Sequence, residues 1–68
     1  MSKSRHHRRP KSRGGNGKPR NISHVCAKQH EAWHRLFGNM SPHEIATVIN
    51  QVWLDPDFVF LVKRVGEP

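Results

Sequence analysis

The sequence lacks most of the features that cross-link a small protein or attach it to a membrane. Cys26 is its single cysteine, so no disulfide can form within the chain, and a lone thiol fits a reducing compartment. No apolar run approaches the roughly 20 residues that span a bilayer, and no apolar segment follows the basic N-terminus as in a signal peptide. The basic segment also lacks the apolar face of an interfacial helix. We therefore expect a cytoplasmic protein that binds no membrane.

Little room exists for a hydrophobic core. Sixty-eight residues make at most one domain, and a chain of this size buries only about 60% of the surface that its unfolded form exposes. Domains this small are usually stabilised by a disulfide, a metal ion or a partner chain. Because a disulfide is excluded, a metal ion or a second chain remains, and a homodimer is one form that the second chain could take.

Acidic residues are absent from the first 20 positions, which hold eight of the twelve basic side chains. These eight are Lys3, Arg5, Arg8, Arg9, Lys11, Arg13, Lys18 and Arg20. A basic segment this dense either stays solvated or binds a polyanion. Nucleic acid is the leading candidate, since Lys and Arg gain affinity by displacing counterions from phosphates. DNA is favoured over RNA as the partner.

Secondary structure is easiest to predict in the middle of the chain. Residues 1–4 form a short tail, 5–9 a strand that Pro10 ends, and 11–20 a glycine-rich loop. A second strand follows over Ile22–Val25, with alternate residues on opposite faces. The first helix is predicted from Ala27 to Phe37, because an apolar stripe at helical spacing precedes the stop signal Gly38-Asn39.

The second half of the chain predicts a supporting helix and strand. Ser41-Pro42-His43-Glu44 is a capping box with proline at the first helical position, and apolar residues follow at i, i+3, i+4 and i+7. After a turn around Pro56, Phe58–Val62 is apolar throughout and predicts a strand buried on both faces, or on one face plus a partner. The fold class is therefore α+β, in the order β-β-α-α-β. The chain divides into a tail (1–4), a motif (5–37), supporting elements (38–64) and a second tail (65–68).

Histidines are the chemically informative residues. Five of the six lie between Arg5 and Arg35, including the pair His30 and His34 four residues apart. Such a pair projects from one helix face and can bind a divalent metal, and a third histidine would leave one coordination position open for catalysis. Spacing of this kind also arises by chance, and Cys26, four residues before His30, is more simply a partly buried thiol than a ligand.

The ordered set of motifs resembles the HNH nucleases, also called ββα-metal or His-Me finger nucleases. It is similar above all to the nuclease domains of DNase colicins and related bacteriocins, whose pattern is HH-xx-P-x-S-x-GG, then N-I, then H-xxx-H. The matching residues are His6-His7, Pro10, Ser12, Gly14-Gly15, Asn21-Ile22, His30 and His34. The loop before Asn21 is about one residue shorter here, and the family usually has more structure before the histidine pair.

This resemblance implies a role for each matched residue. His6, His30 and His34 would bind one divalent ion, which could be Zn²⁺, Mg²⁺, Mn²⁺ or Ni²⁺. His7 would be the general base that activates water, and Asn21 would hold the loop and orient His7. The nucleic-acid-binding side chains would be Arg5, Arg8, Arg9, Lys11 and Arg13. The implied activity is hydrolysis of phosphodiester bonds in DNA, or in RNA.

Two other functions remain open on the sequence alone. The metal could serve only to hold the fold together while the basic arm binds nucleic acid. The chain could instead be a component of a larger assembly, such as a ribosome-associated or phage-packaging protein. An adjacent second histidine and an orienting asparagine favour the nuclease, because a structural metal site needs neither.

Overall fold

The computed structural model describes residues 2–66, and these form an α+β domain, as predicted. The elements in chain order are strand β1 (Lys3–His7), strand β2 (Ile22–Cys26), helix α1 (Ala27–Phe37) and helix α2 (Pro42–Val48). A π-helical turn, Ile49–Trp53, continues α2. No helix among the described residues is long and apolar enough to cross a membrane.

The two strands pair antiparallel and build the surface on which α1 lies. Their register places His6 opposite Ser23 and Ser4 opposite Val25. Paired residues share a face and neighbours alternate, so these four side chains form one face of the sheet. Strand β1 begins two residues earlier than predicted, which makes Lys3 and Ser4 part of the sheet rather than of a tail. Met1, Glu67 and Pro68, at the ends of the predicted tails, lie outside the described residues.

The loop between the strands is held closed by Asn21, the last residue before β2. Its side-chain amide pairs with both backbone groups of Arg9, accepting from the Arg9 N–H at 2.7 Å and donating to the Arg9 carbonyl at 3.1 Å. The same Nδ2 donates to the Asn16 carbonyl at 2.7 Å. At Gly15 the chain passes so close to Arg9 that a Cβ atom would lie 1.7 Å from the Arg9 carbonyl oxygen. The loop therefore requires glycine at position 15.

Both helices begin or end where the sequence predicts. Helix α1 ends at Gly38, whose φ of +53° disfavours any residue with a side chain. Helix α2 begins with the complete capping box: Glu44 N–H donates to Ser41 Oγ at 3.2 Å, and Ser41 N–H donates to the Glu44 carboxylate at 3.0 Å. Arg13 links the loop to this helix, because its guanidinium donates to Glu44 at 2.7 Å and to the Asn39 carbonyl.

The strand predicted over Phe58–Val62 does not form, so this part of the prediction was wrong. No other strand of the described residues lies beside the segment, and a single segment has no ladder to join. At Phe60 alone, the side chain of Asn50 makes the two hydrogen bonds that a neighbouring strand would make. The Asn50 amide donates to the Phe60 carbonyl at 3.0 Å and accepts from the Phe60 N–H at 2.8 Å.

The hydrophobic core is very small. Of the apolar side chains in the described residues, only Phe37 is buried, with 7% of its surface exposed. Its ring packs against Trp33 in a tilted arrangement, with the ring centroids 4.5 Å apart. Large apolar side chains after residue 51 are mostly in water, as Phe58 at 67% and Leu61 at 87% exposure illustrate. Packing alone therefore gives this fold little stability, since burial of apolar area is the main driving force.

Candidate metal centre

Three histidines from two elements meet above the sheet. His6 comes from β1, while His30 and His34 come from successive turns of α1, and one ligand atom from each lies within 4.8 Å of the others. The Nε2 atoms of His30 and His34 are 2.8 Å apart. Two ring nitrogens this close need a proton or a cation between them, because bare lone pairs repel. Nitrogens bound to a tetrahedral Zn²⁺ at 2.0–2.1 Å lie about 3.3 Å apart, so a small opening of the pair would fit an ion.

Ser4 supports one member of this cluster. Its Oγ forms a hydrogen bond with His30 Nδ1 at 2.5 Å. The hydrogen bond made by one ring nitrogen selects the tautomer and leaves the other free to bind a metal. Ser4 Oγ can accept from Nδ1–H, and in that tautomer Nε2 of His30 carries the lone pair and lies 2.8 Å from Nε2 of His34. Sequence reasoning missed Ser4 because it assigned residues 1–4 to a tail; a strand starting at Lys3 would have placed Ser4 on the face of His6.

One ring nitrogen of His6 lacks, within residues 2–66, the hydrogen-bond partner that a buried polar atom needs. Its Nδ1 atom is buried and has no hydrogen-bond partner among the described residues. A buried unsatisfied polar atom costs about 1–3 kcal/mol. Burial lowers the pKa of His6 below the usual histidine value, and the charges of His30 and His34 lower that pKa further. A neutral imidazole is the form that binds a metal, so the three residues fit one divalent ion.

His7 and Asn21 lie beside this cluster rather than in it. His7 ends β1 and, by strand alternation, belongs to the face of the sheet opposite His6. Slight desolvation, followed by the charges of Lys11 and Arg5, lowers the pKa of His7. Asn21 holds the backbone just after His7: its carbonyl accepts from the Arg8 N–H at 2.7 Å, and its side chain pairs with Arg9. It makes no hydrogen bond to the His7 ring among the described residues.

The predicted phosphate-binding side chains differ in their availability. Arg5, Arg9 and Lys11 are exposed. Arg8 is also exposed, and its guanidinium donates to the Arg20 carbonyl at 3.3 Å. The Arg13 guanidinium is engaged by helix α2, so its contact with a phosphate would compete with an intramolecular ion pair.

An open cavity of about 460 Å³ borders the histidine cluster. Its walls include His6 and His30 from the cluster, together with Arg8, Gln29 and Trp33. Trp33 lies 6.0 Å from the His6 ring, measured between ring centroids, and so forms a wall of both the core and this cavity. Trp33 belongs to the apolar stripe of α1, and the sequence predicted only that it packs in the core. A cavity with a cation, an amide and an aromatic ring beside the cluster has room for part of a nucleotide.

The remaining histidines and the thiol lie elsewhere. His24 is exposed on β2 opposite Arg5, and His43 is in helix α2. Cys26 is the residue before α1 and does not belong to the group of possible ligands found among the described residues.

Comparison with protein-family models, with curated proteins and with solved structures finds no match.

Proposed function

We propose that this protein is a metal-dependent endonuclease of the HNH type, which hydrolyses phosphodiester bonds in DNA. The observation that carries the proposal is the convergence of His6, His30 and His34 from a β-strand pair and the helix that follows it. A donor set of three nitrogens leaves open the fourth position that a catalytic metal requires. The dense basic charge around β1 supplies attraction to a polyanion.

The donor set narrows the choice of ion. Imidazole nitrogens suit Zn²⁺ and Ni²⁺, whereas Mg²⁺ prefers carboxylate and water oxygens. None of the four acids within residues 2–66 belongs to the cluster. Zn²⁺ or Ni²⁺ is therefore favoured over Mg²⁺, with Mn²⁺ between them. When bound, the ion would supply positive charge to stabilise the departing 3′ oxygen.

His7 would act as the general base. Its lowered pKa keeps the ring neutral near pH 7, so that it can accept a proton from water. The resulting hydroxide attacks phosphorus, and the bond between phosphorus and the 3′ oxygen breaks. The 3′ oxygen takes a proton from solvent, and His7 then returns its own proton to solvent. Asn21 would restrain the backbone on which His7 sits, through its contacts with Arg8 and Arg9. Arg8, at the edge of the cavity, would hold a flanking phosphate.

The test is plasmid nicking by metal-stripped protein reloaded with each ion in turn. His7→Ala should keep the metal but lose about 10²- to 10⁴-fold in rate, because only proton transfer is removed. His6→Ala should lose metal affinity and activity together. His24→Ala is the matched control, since it removes an exposed histidine outside the cluster. RNA in place of plasmid separates the two polymers, and cleavage by His7→Ala at the parent rate would contradict the base assignment.

A non-catalytic role for the same centre is the second candidate. The observation that favours it is the small hydrophobic core, because a fold with so little buried apolar surface gains stability from a bound ion. In that case the protein binds nucleic acid and metal but cuts with none of the ions. His6→Ala would then reduce stability, while His7→Ala would change neither stability nor metal affinity.

A further inference from the structure

The molecule exposes more surface than a compact monomer of its size, and most of its exposed large apolar side chains lie in the C-terminal third. A folded monomer of 7.9 kDa exposes about 4,400 Å², whereas this chain exposes 5922 Å², about 1,500 Å² more. Its radius of gyration is 13.5 Å, compared with about 11 Å for a compact domain of this length. Since a standard interface removes roughly 800 Å² from each partner, the excess is large enough for a stable association.

Most of the exposed large apolar side chains lie on one segment, Phe58–Leu61, and on the helical turn beside it. Trp53, Phe58, Val59 and Phe60 are each more than half exposed, and Leu61 is 87% exposed. A groove of about 320 Å³ runs between Trp53, Phe60 and Leu36. Contiguous apolar surface of this extent marks an interaction site on a protein.

The backbone of this segment has one satisfied edge and one free edge. Phe60 directs both its N–H and its carbonyl to Asn50. In a strand, neighbouring residues direct these groups to the opposite edge. The corresponding groups of Val59 and Leu61 make no backbone hydrogen bond among the described residues. They are therefore available to a strand from another molecule.

Charges at the two ends of the segment are complementary to each other. Asp57 precedes it and Lys63 follows it, and neither makes an ion pair within residues 2–66. If two copies pair antiparallel about Phe60, then Val59 lies opposite Leu61. Asp57, in the turn that precedes the segment, then comes near Lys63 of the other copy. A two-fold interface has to be self-complementary in this way, and a partner with another sequence would not need this symmetry.

We propose that Phe58–Val62 is an intermolecular strand, through which two copies of this chain form a symmetric antiparallel dimer. The pairing supplies the ladder that the segment lacks within one chain. It also removes the apolar side chains of both copies from water. The inference does not depend on the metal centre or on nuclease activity.

Sedimentation velocity from low to high micromolar concentration tests the dimer, in 0.15 M salt with the nucleic acid removed. We expect the parent chain to sediment as a reversible dimer of twice 7.9 kDa. Asp57→Lys and Lys63→Asp should each weaken it about tenfold, because like charges then oppose each other twice per dimer. Mixing the two variants should restore association. In the mixed dimer, both of these contacts again join a lysine of one copy to an aspartate of the other.

Lys28→Asp is the matched control, because it reverses an exposed charge on α1, away from the segment. Like Lys63→Asp, it lowers the net charge by two units from +7 to +5. Reduced self-repulsion alone would strengthen association in both variants, so weakening in Lys63→Asp alone identifies the paired charge. A parent chain that is monomeric throughout overturns the proposal. Association that the mixture of variants does not restore overturns it as well, because another surface or partner then covers the apolar groove.

Discussion

The hydrogen bond between Ser4 and His30 is the residue-scale detail that most directly shapes the candidate metal centre. When Nδ1–H of His30 donates to Ser4 Oγ, Nε2 carries the lone pair that an ion would bind. His34 is exposed, and its Nδ1 has no such partner among the described residues, so only one of the two ligands on α1 is held by a hydrogen bond from the sheet. Replacing Ser4, which does not itself bind the ion, should therefore change the metal affinity.

Replacing Ser4 should weaken metal binding without unfolding the chain. Partners of this kind typically contribute about 10- to 100-fold in affinity, and we expect a loss in this range for Ser4→Ala. Ser4→Thr keeps the hydroxyl and should recover most of it. The measurement is competition with a chelating indicator, combined with nitrogen NMR of the His30 tautomer.

Ser23→Ala is the control for Ser4→Ala, because Ser23 lies on the same face opposite His6 and makes no side-chain hydrogen bond to a histidine among the described residues. Equal metal affinities for Ser4→Ala and Ser23→Ala, with an unchanged His30 tautomer, would show that Ser4 does not support the metal centre.

At the scale of elements, the capping box of α2 also anchors the loop that carries the glycines. Glu44 accepts from the Ser41 N–H and from Arg13, so one carboxylate joins the helix start to the loop. The backbone hydrogen bond from Ser41, then that residue's side chain, and then the charge of Arg13 lower the pKa of Glu44. Its charged form is thus favoured in the folded state.

This pKa shift predicts an acid-dependent loss of stability. A carboxyl group whose pKa is lower in the folded state stabilises above the unfolded value, here 4.5, and its contribution disappears as the pH falls through the folded pKa. Glu44→Gln keeps an amide that can complete the capping box but removes the charge. We expect the melting temperature of the parent to exceed that of Glu44→Gln at pH 7.

The difference should shrink as the pH falls below 4.5, when followed by circular dichroism at several pH values. A constant difference between pH 7 and pH 3 would mean that the charge of Glu44, with its contacts to Ser41 and Arg13, contributes nothing to stability.

The elements that the sequence predicted best are those with local signals. The bounds of α1 and the capping box of α2 follow from residues within one or two turns, and both are confirmed. The i, i+4 spacing likewise brings His30 next to His34, because one helical turn separates them. Strand pairing depends on residues far apart in the chain. Consequently the start of β1 was misplaced, and the strand at Phe58–Val62, which has no partner within the chain, was wrongly predicted.

At the scale of the whole molecule, the chain has a basic, polar half and an apolar half with little packing between them. Phe37 alone is buried among the apolar side chains of the described residues. The cluster of His6, His30 and His34 joins β1 to α1, so an ion bound there would link the sheet to the helix. Binding of an ion to a site that the unfolded chain lacks adds its free energy to folding.

Removing metal should therefore lower the melting temperature. At a hundredfold excess over Kd, a bound ion adds ~2.7 kcal/mol, and ~1 kcal/mol moves the melting temperature of a small domain by about 4–8 °C. We expect a shift of about 10 °C or more between metal-loaded and EDTA-treated protein by circular dichroism. His34→Ala should lose most of this shift, whereas His43→Ala, which changes a histidine of α2, should retain it. Identical melting curves with and without metal would exclude a stabilising site.

The pairing of the Asn50 amide with the Phe60 peptide has a consequence for the exchange of backbone hydrogens with solvent. Oδ1 of Asn50 accepts from the Phe60 N–H at 2.8 Å, and Nδ2 donates to the Phe60 carbonyl at 3.0 Å, as a peptide group of a neighbouring strand would. In the isolated chain, the Phe60 amide hydrogen should therefore exchange more slowly than those of Val59 and Leu61 on either side. Slow exchange at every second residue is the pattern of an edge strand, and here a single asparagine would produce it in a segment that has no ladder.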